Sequence, residues 1–487
     1  MRKKINIVWL KRDLRLQDHE PLWYSENSEL DYLILYIFEP NLINYGDTSL
    51  IHYQFIYESI YKMNMVLKKF NREVITLYGK SIDIFKFILT QFEVKNILTH
   101  QETGIKITWE RDKLIKRFCT DQKINWLDFE TQGVVRGIKN RLDWDKKWYS
   151  YVNKNVINNQ FSNCQLKINL NKFKLPTKFK TKLIAKSSFL QIAGEEEAFK
   201  NLDSFINERV HLYSKNISSP LNSRNSCSRL STYLSWGNVS IRQVYKYIIS
   251  CKEKLKNKRS MNAFLARLKW RSHFIQKFES NCNYEKDFIN SGYQKIIFDT
   301  DEKLLEKWKI GETGYPLVDA NMRCLKKTGW INFRMRAMIV SFLCHHLNQD
   351  WRNGIYHLSK LFLDYEPGIH YTQFQMQAGI TGFNTIRIYN PIKQSIEHDS
   401  EGKFIKKWIP ELRNLEPINI HSPWKLKSTI FNTDEGLQKY PNPIVEPLIA
   451  VKKSRDQLWR LKKNKEVINE SKKLIELHVR PRKKKAN

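Results

Sequence analysis

The hydrophobic residues of this chain change period partway along it. Up to about residue 130, short β-branched and aromatic runs (Ile5–Leu10, Tyr32–Phe38, Val74–Tyr78 and Val94–Thr99) alternate with stretches of helical spacing. Ile51–Phe70 carries Ile56, Ile60, Met63 and Leu67 on one face, and Ile82–Phe92 carries Ile84, Phe85 and Ile88. Strand-length runs that alternate with such stretches predict a parallel sheet with helices on both faces, a doubly wound α/β unit. From about Gly194 the pattern is almost wholly helical, as Phe199, Leu202, Phe205 and Ile206 illustrate, and later Met338, Phe342, Leu343 and His346. The expected organisation is an α/β domain over 1–130, an interdomain linker over 131–193, a large all-α domain over 194–450 and a basic C-terminal extension over 451–487.

Charge gives the first indication of a partner. The 487 residues carry a formal net charge of +33, which favours polyanions, nucleic acid foremost. A lysine-rich solvated surface accounts for the same excess without any partner. Gln165–Lys186 holds seven lysines, Pro176 and no acidic residue, the composition of a solvated, self-repelling crossover. The extension holds 14 Lys+Arg against 4 Asp+Glu; one helix is expected over Ser454–His478, ahead of Arg480-Pro481-Arg482-Lys483-Lys484-Lys485. It reads as a solvated or polyanion-touching appendage. No apolar run is long enough to span a membrane, and the first residues turn polar at Lys11 before a signal-peptide core forms. The expected location is therefore the cytoplasm, or the nucleus in a eukaryote. Seven cysteines without a C-x-x-C pair argue against a disulfide framework or zinc ribbon, and no metal site is expected. Neither G-x-G-x-x-G nor a P-loop motif occurs.

The segment Val8-Trp9-Leu10-Lys11-Arg12-Asp13-Leu14-Arg15-Leu16-Gln17-Asp18 resembles the first strand and turn of the photolyase/cryptochrome family. Further segments follow in the family's order: Gly194 to Tyr213, Ser228-Arg229-Leu230-Ser231 with Trp236-Gly237, then Gly314-Tyr315-Pro316-Leu317-Val318-Asp319 with Thr328-Gly329-Trp330. Arg336 to Phe342, Asp350-Trp351-Arg352, Asp364-x-Glu366, Arg387-x-Tyr389-Asn390-Pro391, Trp408 to Leu412 and Tyr440 to Val445 complete the series. The resemblance implies an N-terminal antenna domain and a helical domain that holds FAD in a bent, U-shaped form. A second, antenna chromophore is also implied, of a kind the sequence does not specify. Glu102 lies near the place of a pterin-binding acid, and a solvated Glu explains it as well.

By the same resemblance Tyr213, Ser228, Leu230 and Ser231 cradle the FAD diphosphate, whose oxygens need hydroxyls and N–H donors. A plain serine-rich helix cap is the alternative. Arg336 and Asp364 are placed as an ion pair beside the isoalloxazine, where a fixed guanidinium stabilises negative charge on reduced flavin. Arg271, Tyr365 and Glu366 join the cofactor-binding set, Glu366 standing where the family has Asp. His370 falls opposite the flavin N5, a position usually Asn in photolyases, and is expected to donate a hydrogen bond or a proton there; a packing histidine is the plainer alternative. Of the family's tryptophan relay only Trp351 is kept; the proximal and distal positions read Phe374 and Phe298, and phenylalanine is too hard to oxidise. Trp330, Trp308, Tyr293 and Tyr371 are candidate detours.

The lesion pocket departs furthest from the family. Trp270 matches the residue that packs on a flipped-out pyrimidine dimer. Arg267 replaces the usual Glu, Met376 the opposing Trp, and Phe333 and Ala337 stand at two lining positions that bear histidines in (6-4) photolyases. The catalytic candidates are Trp270, Arg267 and His370, the substrate-binding ones Trp270 and Met376. Two functions follow as expectations. The first is light-driven repair of pyrimidine dimers in single- or double-stranded DNA by electron transfer from excited reduced FAD, a carbon–carbon lyase acting as a monomer. The second is a cryptochrome-like blue-light photoreceptor that signals through FAD photoreduction.

Overall fold

The computed structural model describes residues 2–164, 166, 168–252, 258–427 and 435–480. Five strands, β1 (Lys4–Leu10), β2 (Asp31–Phe38), β3 (Val74–Tyr78), β4 (Glu93–His100) and β5 (Asn125–Phe129), form one sheet in the order β3-β2-β1-β4-β5. Every pairing is parallel. Four of the strands lie where the apolar runs predict them. β5 escapes that reading because Asn-Trp-Leu-Asp-Phe is a half-exposed edge strand with only partial apolar alternation.

Both faces of the sheet are covered, which is why β1 and β2 read as nearly continuous apolar runs. Ile5, Ile7 and Trp9 pack with Ile84, Phe85 and Ile88 of helix α1 (Ser81–Gln91) and Ile115 of α2 (Lys106–Asp121). Val8 and Leu10, on the opposite face, pack with the 50–67 helix through Phe55, Ile56 and Ile60. That second core continues without a break into Phe205, Tyr213, Trp236 and Phe264 of the helical part. Among the described residues no strand follows β5.

Two expectations are corrected here. Gln165–Lys186 is not a plain solvated crossover: helix α4 (Thr177–Ile184) within it buries Leu183 in the second core, alongside Trp144, Trp148 and Tyr151 of the preceding helix α3 (Trp144–Asn153). Lysines fill the outward positions of α4 while Leu183 points inward; Gln165 and Lys167 lie outside the described residues. The C-terminal extension is not a solvated appendage either. It forms two helices, α10 (Pro447–Lys462) and α11 (Lys465–His478), with Leu458, Val467 and Leu474 buried in the helical core. Polar contacts also hold it down: Ser454 Oγ donates to the His345 carbonyl (2.8 Å), and Asn290 Nδ2 to the Val467 carbonyl (3.1 Å). The Tyr284 hydroxyl meets His478 Nε2 at 3.1 Å, and Arg480 pairs with Asp145. The charge that suggested solvation sits on the outer faces of these helices. The run Pro481–Lys485 lies outside the described residues.

Candidate functional site

Four elements converge where the sheet meets the helices: α5 (Ser231–Trp236), α6 (Lys258–Glu279), α7 (Phe333–Ser341) and α9 (Pro367–Gln377), with the 363–366 loop between them. Helix α7 starts at the N-cap Asn332, whose side chain accepts from the Met335 N–H, and this fixes the direction of Arg336 one turn later. Arg336 Nη2 donates to both Asp364 oxygens, at 2.9 and 2.7 Å, and its Nε to the Ile331 carbonyl at 3.0 Å. Arg271 on α6 donates to Glu366 Oε2 (3.0 Å) and to the Leu234 carbonyl (3.0 Å). Ser235 Oγ and Trp236 Nε1 donate to the carbonyls of Asp364 (3.0 Å) and Leu363 (2.8 Å). The sequence-derived residues Arg271, Arg336, Asp364 and Glu366 thus sit in one hydrogen-bonded frame. Tyr365, buried between the two carboxylates, turns its ring away from them towards Asp47.

The residues at the other end fit a dinucleotide diphosphate. Tyr213 is buried against Phe205 and Phe264; Ser228 Oγ accepts from the Leu230 N–H at 3.4 Å, a weak cap. Arg229, between these serines, adopts a left-handed conformation (φ 60°) and lays its guanidinium over Trp330, 3.9 Å from the ring centroid. Its Nη1 is buried with no hydrogen-bond partner, and burial beside Arg224 pushes its pKa down to about 9. A desolvated cation with a spare N–H is the complement of a buried phosphate. Arg229 is hidden in the sequence because the serines on either side of it carry the recognisable pattern. Arg12 is hidden too; it bonds the Tyr365 carbonyl at 2.9 Å and stacks on Trp236 at 4.4 Å, tying the first loop of the sheet to the 363–366 loop. Its only sequence signal was its place in the Lys11-Arg12-Asp13 turn after β1. Together these donors and acceptors suit FAD: hydroxyls and cations for the diphosphate, Arg336–Asp364 for the isoalloxazine.

His370 on α9 requires a correction. Its Nε2 lies 2.8 Å from the Ile355 carbonyl of α8 (Trp351–Leu361), which only accepts, so Nε2 carries the proton. Burial lowers its pKa to about 4, with the Arg336 charge adding to the effect, so the ring is neutral and Nδ1 is bare. A neutral ring with its proton already committed has none to give to N5; it only accepts. Trp351 is fully buried, its Nε1 unpartnered, its ring 5.9 Å from Phe288. Phe374 is buried against His370, and Met376 is partly buried on the same helix. Trp270 is 52% exposed, one residue before Arg271. Arg267, exposed on the same face, stands over Phe333 at 5.5 Å and makes no ion pair among the described residues.

At the carboxyl ends of β1 and β4, where strand order reverses and such sheets bind ligands, the crevice is filled by the protein itself. Arg111 bonds Glu102 (2.6 Å), Glu39 (3.1 Å) and Asp112 (2.9 Å), and Lys11 bonds Asp112 (2.8 Å). Glu102 is therefore a partly buried ion-pair member rather than a freely solvated Glu. Asp13 Oδ2 accepts from His19 Nε2 (3.0 Å) and His100 Nδ1 (2.7 Å) and is held well below the usual carboxylate range by these bonds, against the opposing effect of burial. His19 Nδ1 meanwhile accepts from the Leu22 N–H, so this trio closes on itself as a hydrogen-bonded knot. Only about 20 Å³ remains beside Arg12, Glu102 and Gln132. A neighbouring groove of about 540 Å³, lined by Gln101, Glu130, Arg136, Lys147, Tyr151 and Lys154, is large enough for a pterin- or flavin-sized chromophore; the crevice is not.

The model of the "FAD binding domain of DNA photolyase" matches residues 264–460, and that of "DNA photolyase" residues 6–141. The deoxyribodipyrimidine photo-lyase of Alkalihalophilus pseudofirmus is 27% identical over 469 residues, covering 91% of this chain and 95% of its own. The cryptochrome DASH of Synechocystis is 28% identical over 468 residues, covering 90% and 94%. Among solved structures, an archaeal photolyase from Sulfolobus tokodaii with two FAD molecules superposes with a TM-score of 0.77 at 25% identity, over 94% of this chain and 100% of that one. A bacterial class III photolyase from Agrobacterium tumefaciens shares the fold with a TM-score of 0.82 at 22% identity, over 95% and 99%. With the hydrogen-bonded frame of Arg336, Asp364, Arg271 and Glu366 inside the matched FAD-binding region, the chain belongs to the photolyase/cryptochrome family.

Proposed function

We propose that the protein is a light-driven DNA photolyase that repairs pyrimidine dimers with reduced FAD. One observation carries this reading: α6 presents Trp270 to solvent while the next residue, Arg271, is buried and paired with Glu366 at the flavin frame. An aromatic face for an extruded base and the cofactor frame are thus one residue apart on a rigid helix. FAD, when bound, supplies the excited electron. Arg336, held by Asp364, stabilises negative charge beside it, and His370 offers Nδ1 as an acceptor. Arg267, free of any ion pair among the described residues, is available for a phosphate or for negative charge on the dimer. Backbone affinity comes from the basic surface with release of counterions.

The test is an ultraviolet-damaged oligonucleotide incubated with chemically reduced, FAD-loaded protein under blue light. Restoration of intact thymines on chromatography is expected. A protein that retains FAD and binds the oligonucleotide yet restores none would reverse the assignment. The cryptochrome-like photoreceptor is the second reading. It is favoured by the docked helices α10 and α11, after which Arg480 pairs with Asp145, itself paired with Lys269 next to Trp270.

A further inference from the structure

Helix α6 carries Trp270, His273, Phe274 and Lys277 at helical spacing on one face. The stripe starts exposed at Trp270 and runs inward to Lys277, which is 2% exposed. Lys277 keeps its Nζ over Phe274 (5.6 Å) and Phe383 (5.0 Å) and makes no hydrogen bond or ion pair among the described residues. Arg141, 3% exposed, reaches the same turn of the helix: its Nη2 donates to the His273 carbonyl at 3.2 Å. That carbonyl also takes the Lys277 N–H in the i to i−4 ladder of α6, so the guanidinium is seated against the backbone of Lys277. The guanidinium lies over Trp144 at 5.1 Å, and its Nε and Nη1 are buried without a partner among the described residues. His478 of α11, fully buried with Nδ1 unpartnered, feels the charge of both cations.

The acceptors around this pair are already used. Asp145 is taken by Lys269 (2.8 Å) and by Arg480, and Gln276 Oε1 by the Val135 N–H (2.7 Å) and Trp144 Nε1 (3.0 Å). A guanidinium and an ammonium are thus buried side by side with no carboxylate of their own, and burial with the Arg141 charge pushes Lys277 down to about 7. Buried charges of one sign are costly until a counter-charge joins them. A water molecule satisfies the free N–H groups and leaves the charge in place. We propose that Arg141 and Lys277 bind a chloride ion at this turn of α6. Nε–H and Nη1–H of Arg141 and the ammonium of Lys277 donate to it. A halide suits the place better than phosphate, because Trp144, Phe274 and Phe383 supply apolar walls and a compact single charge sheds its water more easily. The site lies about 10 Å along the helix axis from Trp270 and shares no residue with the flavin frame, so it stands independently of the function proposed above. The bound ion ties the segment before α3 to the helix that carries Trp270.

The experiment compares thermal unfolding of the full chain in sodium chloride and in sodium gluconate at equal ionic strength, which cancels general screening. Because the ion binds only the folded chain, the midpoint is expected to lie a few degrees higher in chloride and to climb with its concentration. Arg141→Gln is expected to lose that difference. Lys277→Met, which serves also if Arg141→Gln does not fold, is expected to shrink it several-fold and to be more stable than the parent in gluconate, its unpaired ammonium gone. Crystals soaked in sodium bromide are expected to show anomalous density against Arg141 and Lys277. Equal midpoints in the two salts, or a chloride response that both variants keep, would overturn the site. A response to sodium phosphate and none to chloride would replace the halide by an oxyanion and refute the assignment. Loss of oligonucleotide affinity in Lys277→Met, with no chloride response in the parent, would refute it too and give both cations to the DNA backbone.

Discussion

Single residues decide the chemistry proposed for the Arg336–Asp364 frame. The Asp364 carboxylate holds Arg336 through both oxygens, and Arg336 keeps a quarter of its side chain exposed towards the site. Asp364→Asn keeps the shape and removes the charge that orients the guanidinium. FAD retained per protein is expected to fall about tenfold, which corresponds to about 1.4 kcal/mol, while the melting temperature shifts little. Retention equal to the parent would show that the pair is structural only. Trp270→Ala should weaken binding of a dimer-containing oligonucleotide by about 1–3 kcal/mol, the usual value of one base–aromatic stack. Because Trp270 is half exposed, the melting temperature should stay put; a protein destabilised along with its binding would assign Trp270 to packing.

At the scale of elements, the joint between sheet and helices depends on Gly237. It caps α5 with φ 74°, and a Cβ there would stand 2.2 Å from the Arg12 carbonyl oxygen. Gly237→Ala therefore adds a backbone clash to the 1–2 kcal/mol, in round terms, of a left-handed non-glycine residue. A drop in denaturant midpoint with loss of FAD is expected; an unchanged midpoint would mean that the joint shifts freely. The C-terminal helices supply a second test. Leu474 on α11 is 4% exposed, so Leu474→Ala should cost about 2–5 kcal/mol. A solvated appendage would lose less than about 0.5 kcal/mol. The misreading of this segment has a physical cause: its fourteen cations outnumber its buried leucines, and net charge reports the outer face of a helix rather than the inner one.

For the whole molecule, buried and partly buried histidines set the response to acid. His52, His345, His357 and His370 are lowered to about 4, His100 and His346 to about 3, and His273 and His478 to about 2, burial being the largest cause each time. Between pH 6.5 and 4 the unfolded chain takes up these protons and the folded one does not, so stability falls as pH drops. Asp47 and Asp319, raised to about 6, and Glu279, raised to about 7, act with the opposite sign but are outnumbered. The loss should be about 1.4 kcal/mol per net proton and pH unit. A urea midpoint that holds steady from pH 6.5 to 4.5 would contradict this balance.

The class of each half and four of the five strands are legible along the chain, as are Arg271, Arg336, Asp364 and Glu366, which the fold brings into one hydrogen-bonded frame. Those features rest on local periodicity and on short motifs, and both are written along the chain. Tertiary structure alone decided which groups meet. Asp47 and Tyr365 are 318 positions apart, and Arg12 and Tyr365 are 353 apart, so no local pattern announces either contact. It also decided protonation: His370 is an acceptor because the Ile355 carbonyl, fifteen residues earlier on another helix, takes its proton and burial withholds a second one. Partner and solvent access set such properties, and both come into being only when the chain closes on itself.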